Sequence, residues 1–210
     1  MEKFEKDKHL VVRQLLRKPL REAALWYALR KAMHGSTGLN DPQVPGTPSY
    51  YGDPFMEMLL QLFRPEMERL TGKQLYPTYS YFRVYKHGDI LEAHLDRPSC
   101  EFGLSLTLGF EVAEPWPFVV EVNKQPKPIN LLPGDGVLFK GMELEHWRDK
   151  FEGRKHVSVF LHYVDRNGDF SDWKNDKRNS FGAKAQRLLA CTGGEVLGAL
   201  NVASSMLGKT

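Results

Sequence analysis

The apolar positions of this chain change period near residue 76. Before it, they recur at helical spacing. Between residues 8 and 31, Leu15, Leu16, Leu20, Ala24, Leu25, Ala28 and Leu29 fall on one helical face, and Pro19 starts or kinks that helix. A second amphipathic helix is predicted from Pro54 to about Leu70, with Asp53 as its N-cap and Thr71-Gly72 as its end. Residues 34–54 are dense in Gly and Pro and read as a long loop. A loop of that length inside a compact domain is usually functional or mobile.

From Tyr76 onward apolar and polar residues alternate. Strands are predicted at Tyr79–Tyr85, Ile90–Leu95, Gly103–Phe110, Phe118–Val122, Val137–Lys140 and His156–Val164, divided by turns such as Lys86-His87-Gly88-Asp89. Many short strands between Gly/Pro turns indicate a sandwich or barrel. The expected fold class is therefore mainly β with flanking helices. The expected division is residues 1–75 as helices and loop packed on the barrel, 76–165 as the core, and 166–210 as a C-terminal extension. Residues 188–208, small and apolar, read as a last helix or a loose tail.

At 210 residues, with 41% hydrophobic and 26% charged positions, the chain fits one globular domain and excludes a disordered tail, a collagen or a coiled coil. No run approaches the roughly 18 apolar residues of a membrane span. The N-terminal segment lacks the apolar run of a secretory signal. Cys100 and Cys191 are too few for a disulfide scaffold. A soluble, cytoplasmic protein with reduced thiols and no membrane partner is expected. Its net charge of +3 is unevenly spread. Residues 1–31 carry nine Lys/Arg against four acidic residues, but residues 32–145 carry nine against fifteen. An acidic middle argues against a nucleic-acid partner.

Chemistry concentrates in two H-x-D pairs. At strand spacing such a pair puts an imidazole and a carboxylate on one face. With a distant second His it makes the facial triad of non-haem Fe(II) oxygenases. About one such pair is expected by chance in a chain of this composition, so the spacing alone is weak. His87-Gly88-Asp89 lies in a turn and reads as a solvated hairpin. His94-Leu95-Asp96 ends an apolar strand.

The surroundings of the second pair are more specific. The segment Tyr79–Leu108, YSYFRVYKHGDILEAHLDRPSCEFGLSLTL, resembles the first metal motif of prolyl 4-hydroxylase-like iron(II)/2-oxoglutarate-dependent oxygenases: an aromatic strand ending in Arg-x-Tyr, a Gly turn, then His-x-Asp. Leu132–Val164 resembles the family's closing half, with Pro-Gly-Asp, the distal His, then Gly and a basic residue before the last strand. The resemblance covers about residues 76–165. It implies a double-stranded β-helix (jelly-roll, cupin-like) barrel with the N-terminal helices on its major sheet. It implies Fe(II), 2-oxoglutarate and O2, with ascorbate as an optional reductant. The implied reaction is hydroxylation of a C–H bond with decarboxylation of 2-oxoglutarate to succinate and CO2. A prolyl residue in a peptide or protein is the substrate it suggests. A small molecule or nucleic acid, or a non-catalytic metal-binding barrel, are the alternatives. The oligomeric state is open.

By the same resemblance His94, Asp96 and His146 hold iron, with His146 preferred to His156 and His162 as the distal ligand. Tyr85 supplies a hydroxyl to the far carboxylate of 2-oxoglutarate, and Lys155 the cation. The spacing from His146 to Lys155 is one residue shorter than the family's usual spacing, which leaves Arg148 as a rival. If Lys155 faces the pocket, His156 and His162 face away from it. Arg97, beside Asp96, either pairs with Glu101 or meets substrate. Trp147 is a candidate floor of a substrate groove. Tyr50 and Tyr51, on the long loop, are candidates for a lid.

Overall fold

The structure is a computed structural model describing residues 2–34 and 41–181. The elements are α1 (Glu2–Asp7), β1 (His9–Val12), α2 (Lys18–Met33), β2 (Ser49–Tyr51), α3 (Pro54–Thr71), β3 (Leu75–Lys86), β4 (Leu91–His94), β5 (Phe102–Glu111), β6 (Phe118–Val122), β7 (Gln125–Ile129), β8 (Gly136–Phe139), β9 (His146–Arg148) and β10 (Lys155–Asp165). Short helical turns at Pro98–Cys100 and Ser171–Lys177 complete the described chain. The strands form a six-stranded sheet in the order β1-β8-β5-β10-β3-β2 and a four-stranded sheet in the order β4-β9-β6-β7. Each strand pair is antiparallel. This is the expected jelly-roll arrangement, with the two sheets not hydrogen-bonded into a closed barrel among the described residues. No described helix is long and apolar enough to cross a membrane.

The major sheet has a core on its helix-bearing face. There Leu59, Leu60 and Phe63 of α3 and Ala24 and Ala28 of α2 meet Phe82, Leu104, Leu106, Val157, Val159 and Leu161. A smaller cluster between the sheets joins Phe118 and Val120 to Val137 and Phe139. Period-two alternation therefore sends Val157, Val159 and Leu161 of β10 toward the helices. It sends His156, Ser158, Phe160 and His162 into the space between the sheets.

The N-terminal 75 residues do more than pack on the barrel, because β1 and β2 are the two edge strands of the major sheet. In the sequence β1 had merged with the helical pattern. Lys8 (φ 58°) and Gln14 (φ 50°) interrupt that pattern on either side of the strand. β7 (QPKPI) was hidden by its prolines, which the edge of the minor sheet tolerates because an outward-facing ladder position needs no N–H. The segment expected as a last helix or tail, 188–208, lies outside the described residues.

Asp53 caps α3 as expected: its carboxylate accepts from the amides of Phe55 (3.0 Å) and Met56 (3.2 Å). The same buried carboxylate also accepts from the Tyr27 hydroxyl (2.8 Å) and pairs with Lys31, both on α2. One side chain thus starts one helix and docks the other. Asp53→Ala is expected to destabilise the fold by about 2 kcal/mol, since the cap and the interhelix ties go together. That lowers the melting temperature by roughly 4–8 °C. Asp53→Asn, which keeps an acceptor for the α3 amides, loses less. A melting curve for Asp53→Ala superimposable on the wild type would refute this role.

Candidate functional site

β4 and β9 pair antiparallel, with His94 directly opposite His146. Their rings lie 4.3 Å apart. Asp96 follows β4 by two residues, its amide donating to the Gly141 carbonyl at 2.9 Å. Its Oδ1 lies 3.7 Å from His94 Nε2 and 3.8 Å from His146 Nε2. Each imidazole is tied back through Nδ1 to the carbonyl two residues earlier, Glu92 at 2.8 Å and Leu144 at 2.9 Å. Those carbonyls require Nδ1 to carry the proton, which leaves both Nε2 lone pairs aimed at the carboxylate.

The electrostatics match that tautomer. Burial lowers the His146 pKa to about 4. Burial, then the neighbouring His146, lowers that of His94. Both rings are neutral near pH 7. Burial also pushes the Asp96 carboxyl up to about 6, and its Oδ2 is buried with no hydrogen-bond partner. Two neutral imidazoles and a desolvated carboxylate, with lone pairs converging, fit a divalent cation held from one side. Gly141 makes the arrangement possible. A Cβ there would lie 2.3 Å from Asp96 Oδ2 and 2.5 Å from the Cys100 carbonyl.

A cavity of about 350 Å³ opens beside these residues, lined by Tyr79, Tyr81, Leu91, Leu95, Phe118, Phe160 and others. Arg83 lines it too, paired with Asp41 and hydrogen-bonded to Gln43 at 2.9 Å. These three residues were missed in the sequence. Arg83 stands in the Arg-x-Tyr motif, but its partners lie some forty residues away.

Tyr85 is fully buried, its hydroxyl accepting from Arg83 Nη1 at 3.4 Å. Arg148 is also fully buried, two residues past His146 on the same face of β9. Its guanidinium lies over the rings of Trp116 (4.8 Å) and Phe118 (5.5 Å), and Nη1 donates to the Trp116 carbonyl at 2.7 Å. Nε and Nη2 have no hydrogen-bond partner, and burial lowers its pKa to about 10.

Lys155 does not face the pocket. It starts β10 on the Val157 face, half-buried, opposite Lys86 and Glu111. His156 and His162 therefore point inward, contrary to the expectation that they face away. His156 is fully buried, its Nε2 3.0 Å from the Ser158 hydroxyl. His162 lines the cavity, and burial lowers its pKa to about 3.

At the rim Arg97 lines the cavity, lies 4.7 Å from the Tyr79 ring and donates to Asp176 at 2.8 Å. Glu101, its other expected partner, instead accepts from the Asp165 amide. Tyr51 stacks on Tyr79 at 5.0 Å and also donates to Asp176. Tyr50 does not reach the mouth. The β2 register pairs it with Phe82, on which it stacks in the helix-side core, so it is a packing residue. Trp147 is no groove floor. It takes the face of β9 opposite His146 and Arg148 and donates to Asp149 at 3.2 Å. Of the long loop, Asp41 and Gln43 reach the cavity wall, while 35–40 lie outside the described residues.

No protein-family model matches the chain, and no curated protein matches it in sequence. Solved structures do match in fold. A Pseudomonas putida prolyl-4-hydroxylase aligns with TM-score 0.64 at 15% identity, over 79% of this chain and 97% of that one. A Trichoplax adhaerens prolyl hydroxylase, in complex with a hypoxia inducible factor peptide fragment, aligns with TM-score 0.66 at 12% identity, over 79% and 87%. The non-heme alpha ketoglutarate dependent epimerase SnoN from nogalamycin biosynthesis aligns with TM-score 0.66 at 14% identity, over 78% and 80%. The chain thus has the jelly-roll fold of prolyl 4-hydroxylase-like 2-oxoglutarate/iron oxygenases.

Proposed function

We propose that the chain is an Fe(II)/2-oxoglutarate-dependent oxygenase that hydroxylates a C–H bond. The observation that carries this reading is the pairing of the open His94–Asp96–His146 face with a buried, half-unpaired guanidinium two residues further along the same strand. When bound, iron and 2-oxoglutarate supply the oxidising chemistry, one oxygen atom of O2 ending in succinate and the other in the hydroxylated product, with loss of CO2.

The protein's own residues bind, orient and exclude water. His94, Asp96 and His146 hold the metal from one side, and the Glu92 and Leu144 carbonyls fix the two rings. The Arg148 guanidinium is the cation for the far carboxylate of the co-substrate. A buried charge without a partner is costly, and a carboxylate meets the free Nε and Nη2 together. Tyr85 packs on the same Trp116 ring as Arg148, and its hydroxyl, which accepts from Arg83, is the group placed to help orient that carboxylate. Phe118, Phe139 and Phe160 give the cavity an apolar wall beside the metal-ligand candidates.

A cavity of about 350 Å³ is near the lower end of small-ligand sites, with room for the co-substrate and one ring-sized group. Its aromatic and aliphatic walls suit the pyrrolidine of a prolyl residue presented by a peptide. Two of the structurally similar proteins are prolyl hydroxylases, one of them bound to a peptide. A small-molecule substrate is the second reading, favoured by the fold match to SnoN. Mass detection of a one-oxygen increase across peptides and free small molecules, with succinate measured in parallel, tests both readings. Absence of succinate with every substrate would sink the oxygenase reading.

Mn2+ binding followed by electron paramagnetic resonance reports the metal site without turnover. His94→Ala, Asp96→Ala and His146→Ala are each expected to weaken it at least about a hundredfold, and His87→Ala to leave it unchanged. Gly141→Ala is expected to weaken it as well, by displacing Asp96. Full Mn2+ affinity in His146→Ala would overturn the distal assignment.

The far-carboxylate cation is tested by 2-oxoglutarate binding to the Mn2+-loaded protein. Arg148→Gln is expected to weaken it by about two to three and a half decades, the cost of about 3–5 kcal/mol for unpairing a buried charge. Lys155→Ala is expected to change it less than twofold. Unchanged 2-oxoglutarate affinity in a folded Arg148→Gln variant rules out this role.

A further inference from the structure

We propose that Asp96, Cys100 and His162 form a second metal site, one that takes a thiophilic divalent cation such as Zn2+ and competes with His94 and His146 for the Asp96 carboxylate. The competition rests on the metal reading above, whereas the cation site itself does not.

The ligand atoms of Asp96, Cys100 and His162 all lie within 4.8 Å of one another. All three residues line the same cavity, so a cation can enter and keep an open coordination position. The chain brings them together from two directions. The turn Pro98–Cys100 folds Cys100 back beside Asp96, and the inward face of β10 presents His162.

His162 is the observation that points to a ligand. It is 6% exposed, and its Nδ1 has no hydrogen-bond partner. It packs on the Tyr79 ring, 4.5 Å away, a contact that fixes a plane but satisfies no lone pair, and the nearby Arg97 is neutralised by Asp176. Asp96 Oδ2 is likewise unpartnered. An unmet imidazole nitrogen and an unmet carboxylate oxygen, beside a buried thiol, are lone pairs that a cation can satisfy.

The Cys100 Sγ is 3.0 Å from the Tyr79 hydroxyl. As a thiolate it would accept that O–H, so the bond remains once a metal has displaced the thiol proton to solvent. Zinc ligand distances of about 2.0–2.3 Å put the ligand atoms of a tetrahedral set about 3.3–3.8 Å apart. Closing from 4.8 Å takes a shift of about 1 Å, shared between two side chains that hydrogen bonds do not restrain.

Sulfur separates the two sets. A thiolate selects Zn2+ and its heavier congeners, whereas two imidazoles and a carboxylate suit harder divalent ions such as Mn2+ and Fe2+. Because Asp96 belongs to both, a soft ion at Cys100 withdraws a ligand from the other set. The predicted consequence is that filling the Cys100 site weakens Mn2+ binding at the other set.

Cadmium is the probe, since its bond to sulfur gives an ultraviolet charge-transfer band. Titration of the full chain with Cd2+ under anaerobic conditions is expected to give a saturable band in the wild type and in Cys191→Ser, and none in Cys100→Ser. His162→Asn and Asp96→Asn are each expected to weaken Cd2+ at least about tenfold, with circular dichroism confirming that they fold. A band that survives Cys100→Ser, or Cd2+ affinity unchanged by both His162→Asn and Asp96→Asn, overturns the site. Saturating Mn2+ is expected to raise the apparent Kd for Cd2+ at least about tenfold, and an unchanged Kd overturns the sharing of Asp96. If Mn2+ does not bind at all, the oxygenase reading fails, while the cadmium band still decides this one.

Discussion

The antiparallel register that sets His94 opposite His146 is the constraint around which the rest of the site is arranged. With the two rings facing across one strand pair, a single carboxylate two residues further on is enough to complete a three-donor face. The Glu92 and Leu144 carbonyls decide which nitrogen of each ring is available. Burial then keeps the rings neutral and desolvates the carboxylate. The minor sheet supplies this geometry, and the major sheet, backed by α2 and α3, supplies the opposite wall of the cavity.

Charge pairing distinguishes the two guanidiniums that line the cavity, Arg83 and Arg97, from the buried Arg148. Arg83 is neutralised by Asp41, and Arg97 by Asp176, both within the chain. Arg148 is fully buried and has no carboxylate partner among the described residues. Evenly paired arginines would describe a structural ion network. One buried exception, two residues from a metal-ligand candidate, is the basis of the co-substrate role proposed for Arg148.

Much of this was legible because it is local. The H-x-D spacing, the Gly and Pro turns, the Asp53 cap and the Gly72 stop are written in neighbouring residues, and all appear in the fold. The phase of β10 was not legible. Val157, Val159 and Leu161 do face a hydrophobic core, but it is the one beneath the helices. A strand buried on both faces carries no mark of which face meets the site. The resemblance put Lys155 inward, and His156 and His162 outward with it, and nothing in the alternation of β10 opposed that phase. Arg83 with Asp41, and Gly141 with Asp96, were missed for another reason: their contacts join segments some forty residues apart, which no window along the chain reveals.

Two glycines show how differently this molecule tolerates mutation. At Gly109 the nearest obstacle to an added methyl is the Leu25 side chain, at 2.8 Å, so a smaller residue at 25 relieves the closest contact. At Gly141 the obstacles are Asp96 itself and the backbone carbonyl of Cys100, at 2.5 Å. Trimming residue 96 would remove the carboxylate and still leave the carbonyl in place. Damage at 109 is therefore open to second-site suppression by a side-chain change. Damage at 141 is not, so revertants selected from a Gly141 variant should restore glycine itself.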